Sequence, residues 1–159
     1  MEIKTLKIKL AWLSGIVDGE GSIGMKRTRD KRGGRSPIIY SPLIQITNCD
    51  SLLLKEVKEI LALLKIKYSF WKRIDNRNPK WRDAGNISIA SYEDCRKFLA
   101  SMIPLLVSKK KHAKILLDFC MMRIGVNHRG QGGKFQKTYT GKEIIYWEKL
   151  HKLNHKGKR

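Results

Sequence analysis

Hydrophobic residues recur at helical spacing at the start of the chain: Leu6, Leu10, Leu13 and Val17 form one stripe, and Ala11, Gly15 and Gly19 form a second stripe of small residues at intervals of four. The period then changes. From Gly21 to Arg29 the residues alternate, with Ile23, Met25 and Arg27 on one side and Ser22, Gly24, Lys26 and Thr28 on the other, which predicts a strand. A turn-rich basic segment, Asp30–Pro37, leads into a second run, Ile38–Thr47, so the two strands read as a hairpin with a long charged loop. Asn48 or Asp50 can cap a helix over Ser51–Leu64 whose apolar face carries Leu52, Leu53, Val57, Ile60, Leu61 and Leu64. A second hairpin, Lys67–Ile74 and Trp81–Ala90, is joined by a polar stretch in which Pro79 forbids regular pairing.

Two helices follow, Glu93–Ile103 ended by Pro104, and Ser108–Arg123 with Ala113, Leu116, Leu117 and Cys120 on one side. Gly125–Gly133 reads as a linker, Thr140–Leu153 as a last helix bearing Ile144, Ile145, Trp147 and Leu150, and the final residues as a basic tail. The order αββαββα with extra C-terminal helices is an α+β fold. It divides into a core over residues 1–123 and a C-terminal segment, 124–159, packed on or flanking that core.

The 159 residues include 34 Lys and Arg against 14 Asp and Glu, a formal charge of +20, and 42% of them are hydrophobic, enough to fill a core without disulfides or a structural metal. Such a surplus disfavours cationic partners and points to a polyanion, nucleic acid before membrane. No apolar run is long enough to span a bilayer, and the first residues lack the pattern of a secretory leader, so an intracellular location is expected. Cys49, Cys95 and Cys120 are odd in number and widely spaced, and read as reduced packing residues. The four histidines have no metal-ligand spacing and read as structural or solvent-facing.

The cations cluster. Lys26, Arg27, Arg29, Lys31, Arg32 and Arg35 fall in the first hairpin, and Lys72, Arg73, Arg77, Lys80 and Arg82 in the second. A two-stranded ribbon fits the roughly 12 Å major groove, and about nine strand residues at about 3.3 Å each span nearly one turn of duplex. Gly19, Gly21 and Gly24 also match a dinucleotide-binding glycine pattern, but a helix precedes and a strand follows, the reverse of what phosphate binding at a helix N-terminus needs. Nucleotide binding is rejected on that ground. Asp18 and Glu20 stand out as acids at a helix C-terminus, where the dipole disfavours them, and a divalent cation would account for charge there.

The run Leu13-Ser14-Gly15-Ile16-Val17-Asp18-Gly19-Glu20-Gly21 resembles the signature of the LAGLIDADG homing endonucleases, with Ser14 in place of the motif Ala and Glu20 in place of its second Asp. The resemblance continues through the element order over residues 6–123, and the motif occurs once. It implies a homodimer in which Ala11, Trp12, Gly15, Asp18 and Gly19 pair the motif helices, and a roughly palindromic double-stranded DNA target of about 20 base pairs. It further implies hydrolysis of both strands with Mg²⁺, a site that Mn²⁺ or Ca²⁺ also fits, leaving 3′-hydroxyl ends with short 3′ overhangs.

By the same resemblance Glu20 is the metal-binding acid and Gly19 the carbonyl donor, while Lys109 stands near the scissile phosphate, with Lys110 and Lys111 as alternatives in register. Asn48, or Gln45 near it, joins the water network. Base reading is expected from the strand face of Ser22, Gly24, Lys26 and Thr28, continued by Ser41, Gln45, Asn86 and Ser88; Ile23, Met25, Ile44, Ile46, Ile87 and Ile89 lie beneath. The run SFWKRID leaves open whether Lys72 or Arg73 belongs to that face, and Arg29, Arg32, Arg35, Arg77, Lys80 and Arg82 are expected on phosphates. An organelle or an archaeal cytoplasm is the expected setting, and intron RNA is a second candidate partner. The alternative is an inactive relative, an RNA maturase or transcriptional regulator on the same basic surface; the intact Glu20 favours the enzyme.

Overall fold

A computed structural model describes residues 3–29, 38–73, 83–126 and 141–155. Its elements are α1 (Ile3–Glu20), β1 (Gly21–Arg29), β2 (Ile38–Asn48), α2 (Ser51–Leu63), β3 (Ser69–Arg73), β4 (Ala84–Ile89), α3 (Tyr92–Met102), α4 (Lys110–Val126) and α5 (Lys142–His155). Four strands form one antiparallel sheet in the order β1-β2-β4-β3, so each hairpin contributes its second strand to the centre. β2 shows why alternation sets the register: Tyr40, Pro42, Ile44 and Ile46 are buried while Ser41, Leu43 and Gln45 between them are half-buried. Pro42 is tolerated because β4 pairs only with Ile44–Asn48, so at Pro42 β2 has a neighbour on one side alone.

The apolar sheet face, with Ile23, Ile44, Ile46, Ile87 and Ile89 each nearly sealed from solvent, packs in one cluster with Leu13 and Val17 of α1 and the buried residues of α2, α3 and α4. Local chemistry sets the helix ends. The Asp50 carboxylate caps α2 by accepting from the Leu52 and Leu53 N–H groups at 2.8 and 3.2 Å, and Asn48 supports that turn by accepting from the Asp50 N–H at 2.7 Å. At the other end Lys65 adopts φ 54°, with Lys65 N–H bonding Ala62 O and Ile66 N–H bonding Leu61 O, the crossed pair that closes a helix through a left-handed residue. Ser91 caps α3 reciprocally with Asp94, which also accepts from the Lys67 N–H at 3.2 Å.

Several expectations are corrected. Leu52 is 75% exposed, because the capping turn rotates it outward and Leu54 takes the inward place. Helix α4 runs on through Val126, so the start of the expected linker is helical; residues 127–140 lie outside the described residues. On α5, Ile144 and Ile145 are exposed, and the buried positions are Glu143 and Leu150, with Tyr146 and Trp147 half-buried. The cause is an ion pair: Arg123 of α4 donates to Glu143 at 2.8 Å with both side chains 1% exposed, which sets the rotation of α5. Cys95 and Cys120 are buried packing residues as expected, whereas Cys49 is exposed. Among the described residues no helix is long and apolar enough to cross a membrane.

Candidate active site

A helix C-terminus leaves carbonyls without intrahelical partners, and at α1 a cation from a distant segment supplies them. The Lys109 ammonium donates to Val17 O at 2.9 Å and to Asp18 O at 2.5 Å. In return the Asp18 carboxylate accepts from Val107 N–H at 2.7 Å, Lys109 N–H at 2.9 Å and the Ser108 hydroxyl at 3.0 Å. The end of α1 and the lead-in to α4 are thus locked in both directions. Asp18, counted by resemblance with the helix-pairing residues, has its carboxylate turned into its own chain.

Partial burial works to raise the Asp18 pKa, but the Val107 and Lys109 N–H donors and the Ser108 hydroxyl outweigh it, and the group lies below the ordinary carboxylate value. A folded-state pKa lowered from 3.8 contributes stability that is present above that value and is lost as pH falls through the folded pKa. Asp18→Asn is therefore expected to lower the melting temperature at neutral pH, with the gap to the parent closing in strong acid. Thermal melts at stepped pH check this, and a gap that persists below the folded pKa would contradict it. Burial lowers the Lys109 pKa, and the Asp18 charge offsets only part of that.

No loop separates Glu20 from Gly21: helix turns directly into strand. A Cβ at Gly21 would lie 2.7 Å from Val17 O, so only glycine permits this corner. Glu20 stands at the corner, and the Asn48 side-chain amide, at the end of β2, donates to its carboxylate. The structure therefore brings Glu20, Asn48 and Lys109 together around one helix end. Of the three lysines in register, Lys109 is the one whose ammonium lies there.

The stripe running up α1 is open. Ile8 and Trp12 are 64% and 38% exposed, Ala11, Gly15 and Gly19 are exposed, and a Cβ at Gly15 or Gly19 would meet nothing within 4 Å. Nothing among the described residues requires glycine at these two positions. Ser14, the motif departure, is buried and satisfied by donating to Ala11 O at 2.7 Å.

On the sheet face away from the core, Ser22, Gln45, Ser88 and Ser69 form one row across all four strands, and Thr47, Asn86 and Trp71 form the next. Lys26 is opposite Ser41 and Gly24 opposite Leu43. Exposure varies along this face: Ser22 and Lys26 are exposed, Gly24, Thr28, Ser41, Gln45 and Asn86 half-buried, and Ser88, in the central strand, only 6% exposed, while the exposed Arg29 ends β1 with the parity of Ile23 and Met25. Asn86 donates to the Thr47 hydroxyl at 2.7 Å.

The register of β3, ambiguous in the sequence, places Trp71 on this outer face, 43% exposed, while Phe70 and Lys72 share the parity of Ile87 and Gly85. Lys72 accordingly lines a cleft with Lys58 and Leu54 of α2 instead of the outer face. Arg73 ends β3 opposite Ala84. Arg32, Arg35, Arg77, Lys80 and Arg82 lie outside the described residues. Leu43, Thr47, Ser69 and Trp71 are outer-face residues that the sequence reading missed.

Among the described residues no group of three or more His, Cys, Asp or Glu gathers as metal ligands. With Asp18 engaged within the chain, the end of α1 offers the Glu20 carboxylate and the Gly19 carbonyl, an all-oxygen donor set. That set suits Mg²⁺, which takes one or two carboxylates and fills the rest of its shell with water and substrate phosphate.

Two hairpins joined into one antiparallel sheet, with a glycine-striped helix ending in an acid at its edge, define the homing-endonuclease fold. The chain belongs to the family described as LAGLIDADG-like domain, which matches residues 7–102. No curated protein matches the chain. Its fold is similar to that of the homing endonuclease I-CvuI in complex with the I-CreI target and Mg, the DNA not cleaved (TM-score 0.69, 16% identity, 98% of this chain and 87% of that one). It is also similar to the archaeal intron-encoded I-Vdi141I complexed with DNA (TM-score 0.69, 17% identity, 96% and 88%) and to I-TnaI (TM-score 0.63, 16% identity, 91% and 92%).

Proposed function

We propose that this protein is a site-specific DNA endonuclease that acts as a homodimer on a roughly palindromic duplex of about 20 base pairs and hydrolyses one phosphodiester in each strand. The observation that carries the reading is the meeting of Glu20, Asn48 and Lys109 at the end of a helix whose small-residue face is open. Glu20 and the Gly19 carbonyl would hold Mg²⁺, or Mn²⁺ or Ca²⁺ in its place. When bound, the metal supplies Lewis acidity at phosphate and lowers the pKa of a water molecule.

The chain's own residues do the rest. Asn48 orients the Glu20 carboxylate, and the Lys109 cation stabilises charge that builds on the phosphoryl oxygens in the transition state. The outer sheet face contacts base edges, with Trp71 available for apolar contact to a thymine methyl. The products are 3′-hydroxyl ends with short 3′ overhangs. Incubation with a random duplex library in Mg²⁺, followed by sequencing of the cut ends, is expected to return one site with approximate twofold symmetry. If no duplex is cut, the endonuclease reading falls and a maturase or regulator takes its place.

The homodimer is supported by Gly15 and Gly19, whose bare backbone allows two helices to approach more closely than side chains would permit. Gly15→Leu separates fold from assembly. A helix interior favours Leu over Gly by about 0.5–1 kcal/mol, so the protomer is expected to keep or gain stability while the dimer is lost. Sedimentation equilibrium at micromolar concentration checks this, and a dimer that survives the substitution would rule out pairing through this face.

A further inference from the structure

Helices α4 and α5 form an antiparallel pair: Arg123 meets Glu143 at one end, Phe119 packs against Tyr146 at 5.8 Å between ring centroids, and His112 lies beside Asn154 at the other end. At the His112 end the pair leaves an open groove of about 450 Å³ lined by Lys111, Lys114 and Ile115 of α4 and Lys149, Lys152 and Leu153 of α5. All four lysines are exposed, Ile115 and Leu153 are half-buried, and among the described residues no acid lines the groove. We propose that this groove is a second binding site for the sugar-phosphate backbone of double-stranded DNA, outside the segment covered by the sheet. The inference rests on the reading of the sheet as a duplex-binding surface.

Charge and position carry it together. Lys111 and Lys114 are three residues apart on one helix and Lys149 and Lys152 three apart on the other, so four like charges line one groove, an arrangement that repels itself until a polyanion neutralises it. The apolar floor accommodates the lysine stems and leaves the ammonium groups at the rim, where they meet phosphates. The groove is too open to enclose a small ligand, but it can follow a backbone. It begins just after Lys109, whose ammonium sits at the α1 corner, and it ends beside Asn154, whose amide nitrogen lies 3.8 Å from where a Cβ at Gly24 would project. Gly24 belongs to the outer sheet face, so a duplex on that face passes the mouth of the groove. This continuity favours duplex DNA over an acidic peptide, which would have no reason to adjoin the sheet.

The test compares the parent, the variant with Lys111, Lys114, Lys149 and Lys152 all replaced by Gln, and a charge-matched variant with Lys4, Lys7, Lys65 and Lys97 replaced by Gln. Affinity for a 30-base-pair duplex is measured by fluorescence anisotropy in Ca²⁺ between about 50 and 200 mM salt, after circular dichroism melts establish that all three fold. The groove variant is expected to bind at least about tenfold more weakly at 100 mM salt and to reduce the slope of log affinity against log salt by about 3 to 4 per bound protomer. The charge-matched variant should change the slope by less than about 1. Equal slopes for groove variant and parent, or equal losses in the two variants, would overturn the proposal, as would loss of binding to an RNA hairpin with duplex DNA binding intact. If the parent fails to bind any duplex, the DNA reading of the sheet fails with it; if the parent binds and only the groove variant is unaffected, the groove alone is at fault.

Discussion

Glu20→Gln is expected to cut the selected duplex at least about 10³-fold more slowly than the parent while binding it within about threefold. The substitution preserves shape: the glutamine carbonyl can still accept from the Asn48 amide, so the corner between α1 and β1 keeps its geometry. What it removes is the charge. A carboxylate at a helix C-terminus opposes the helix dipole, so its loss should leave stability unchanged or raise it by up to about 1 kcal/mol. Activity and stability thus move in opposite directions, which a merely structural role for Glu20 would not produce. Single-turnover cleavage in Mg²⁺, with anisotropy and melting on the same preparation, reads all three quantities, and a variant that cuts at the parent's rate would remove Glu20 from the mechanism.

Arg123→Ala is expected to be the most destabilising change in the C-terminal half. The Arg123–Glu143 pair is 1% exposed on both sides, and removing one partner strands a charge in the interior, at a cost of about 3–5 kcal/mol. For a domain of this size that corresponds to a fall in melting temperature of about 10 °C. Arg123 also sits 5.8 Å from the ring centre of Tyr92, whose hydroxyl donates to Tyr40 O at 3.1 Å, so the loss reaches the sheet. Glu143→Ala should behave alike. The double change Arg123→Met with Glu143→Leu should be neutral or stabilising, because apolar groups of similar volume carry no charge to desolvate. A mild effect from Arg123→Ala alone would mean that α5 is not seated on the core in solution.

Legibility in the sequence followed the sharpness of each period. β1 and β2 alternate through most of Ser22–Thr28 and Tyr40–Ile46, and their hairpin and core face could be read directly. β3 could not, because Phe70 and Trp71 are consecutive aromatics and either parity turns one of them towards the core side. Packing decides: the Phe70 ring lies 2.9 Å from where a Cβ at Gly85 would stand, so the ring fills space that the glycine leaves, and Trp71 turns outward. The unusual acids of the motif were visible as acids, but the donors around Asp18 are some ninety residues away and no local spacing announces them. No local spacing marks Arg123 and Glu143 as partners either. Only the tertiary fold brings a cation and an anion into one dry place.

The lock of Val17 and Asp18 to the segment 107–109 joins positions 89 to 92 apart in the chain. A nascent polypeptide still lacking that segment has the signature helix but neither the cation at its end nor the donors that hold the corner. A truncated translation product would therefore carry the acid without its setting. Under the proposed endonuclease reading, strand scission would be confined to molecules extended past Lys109.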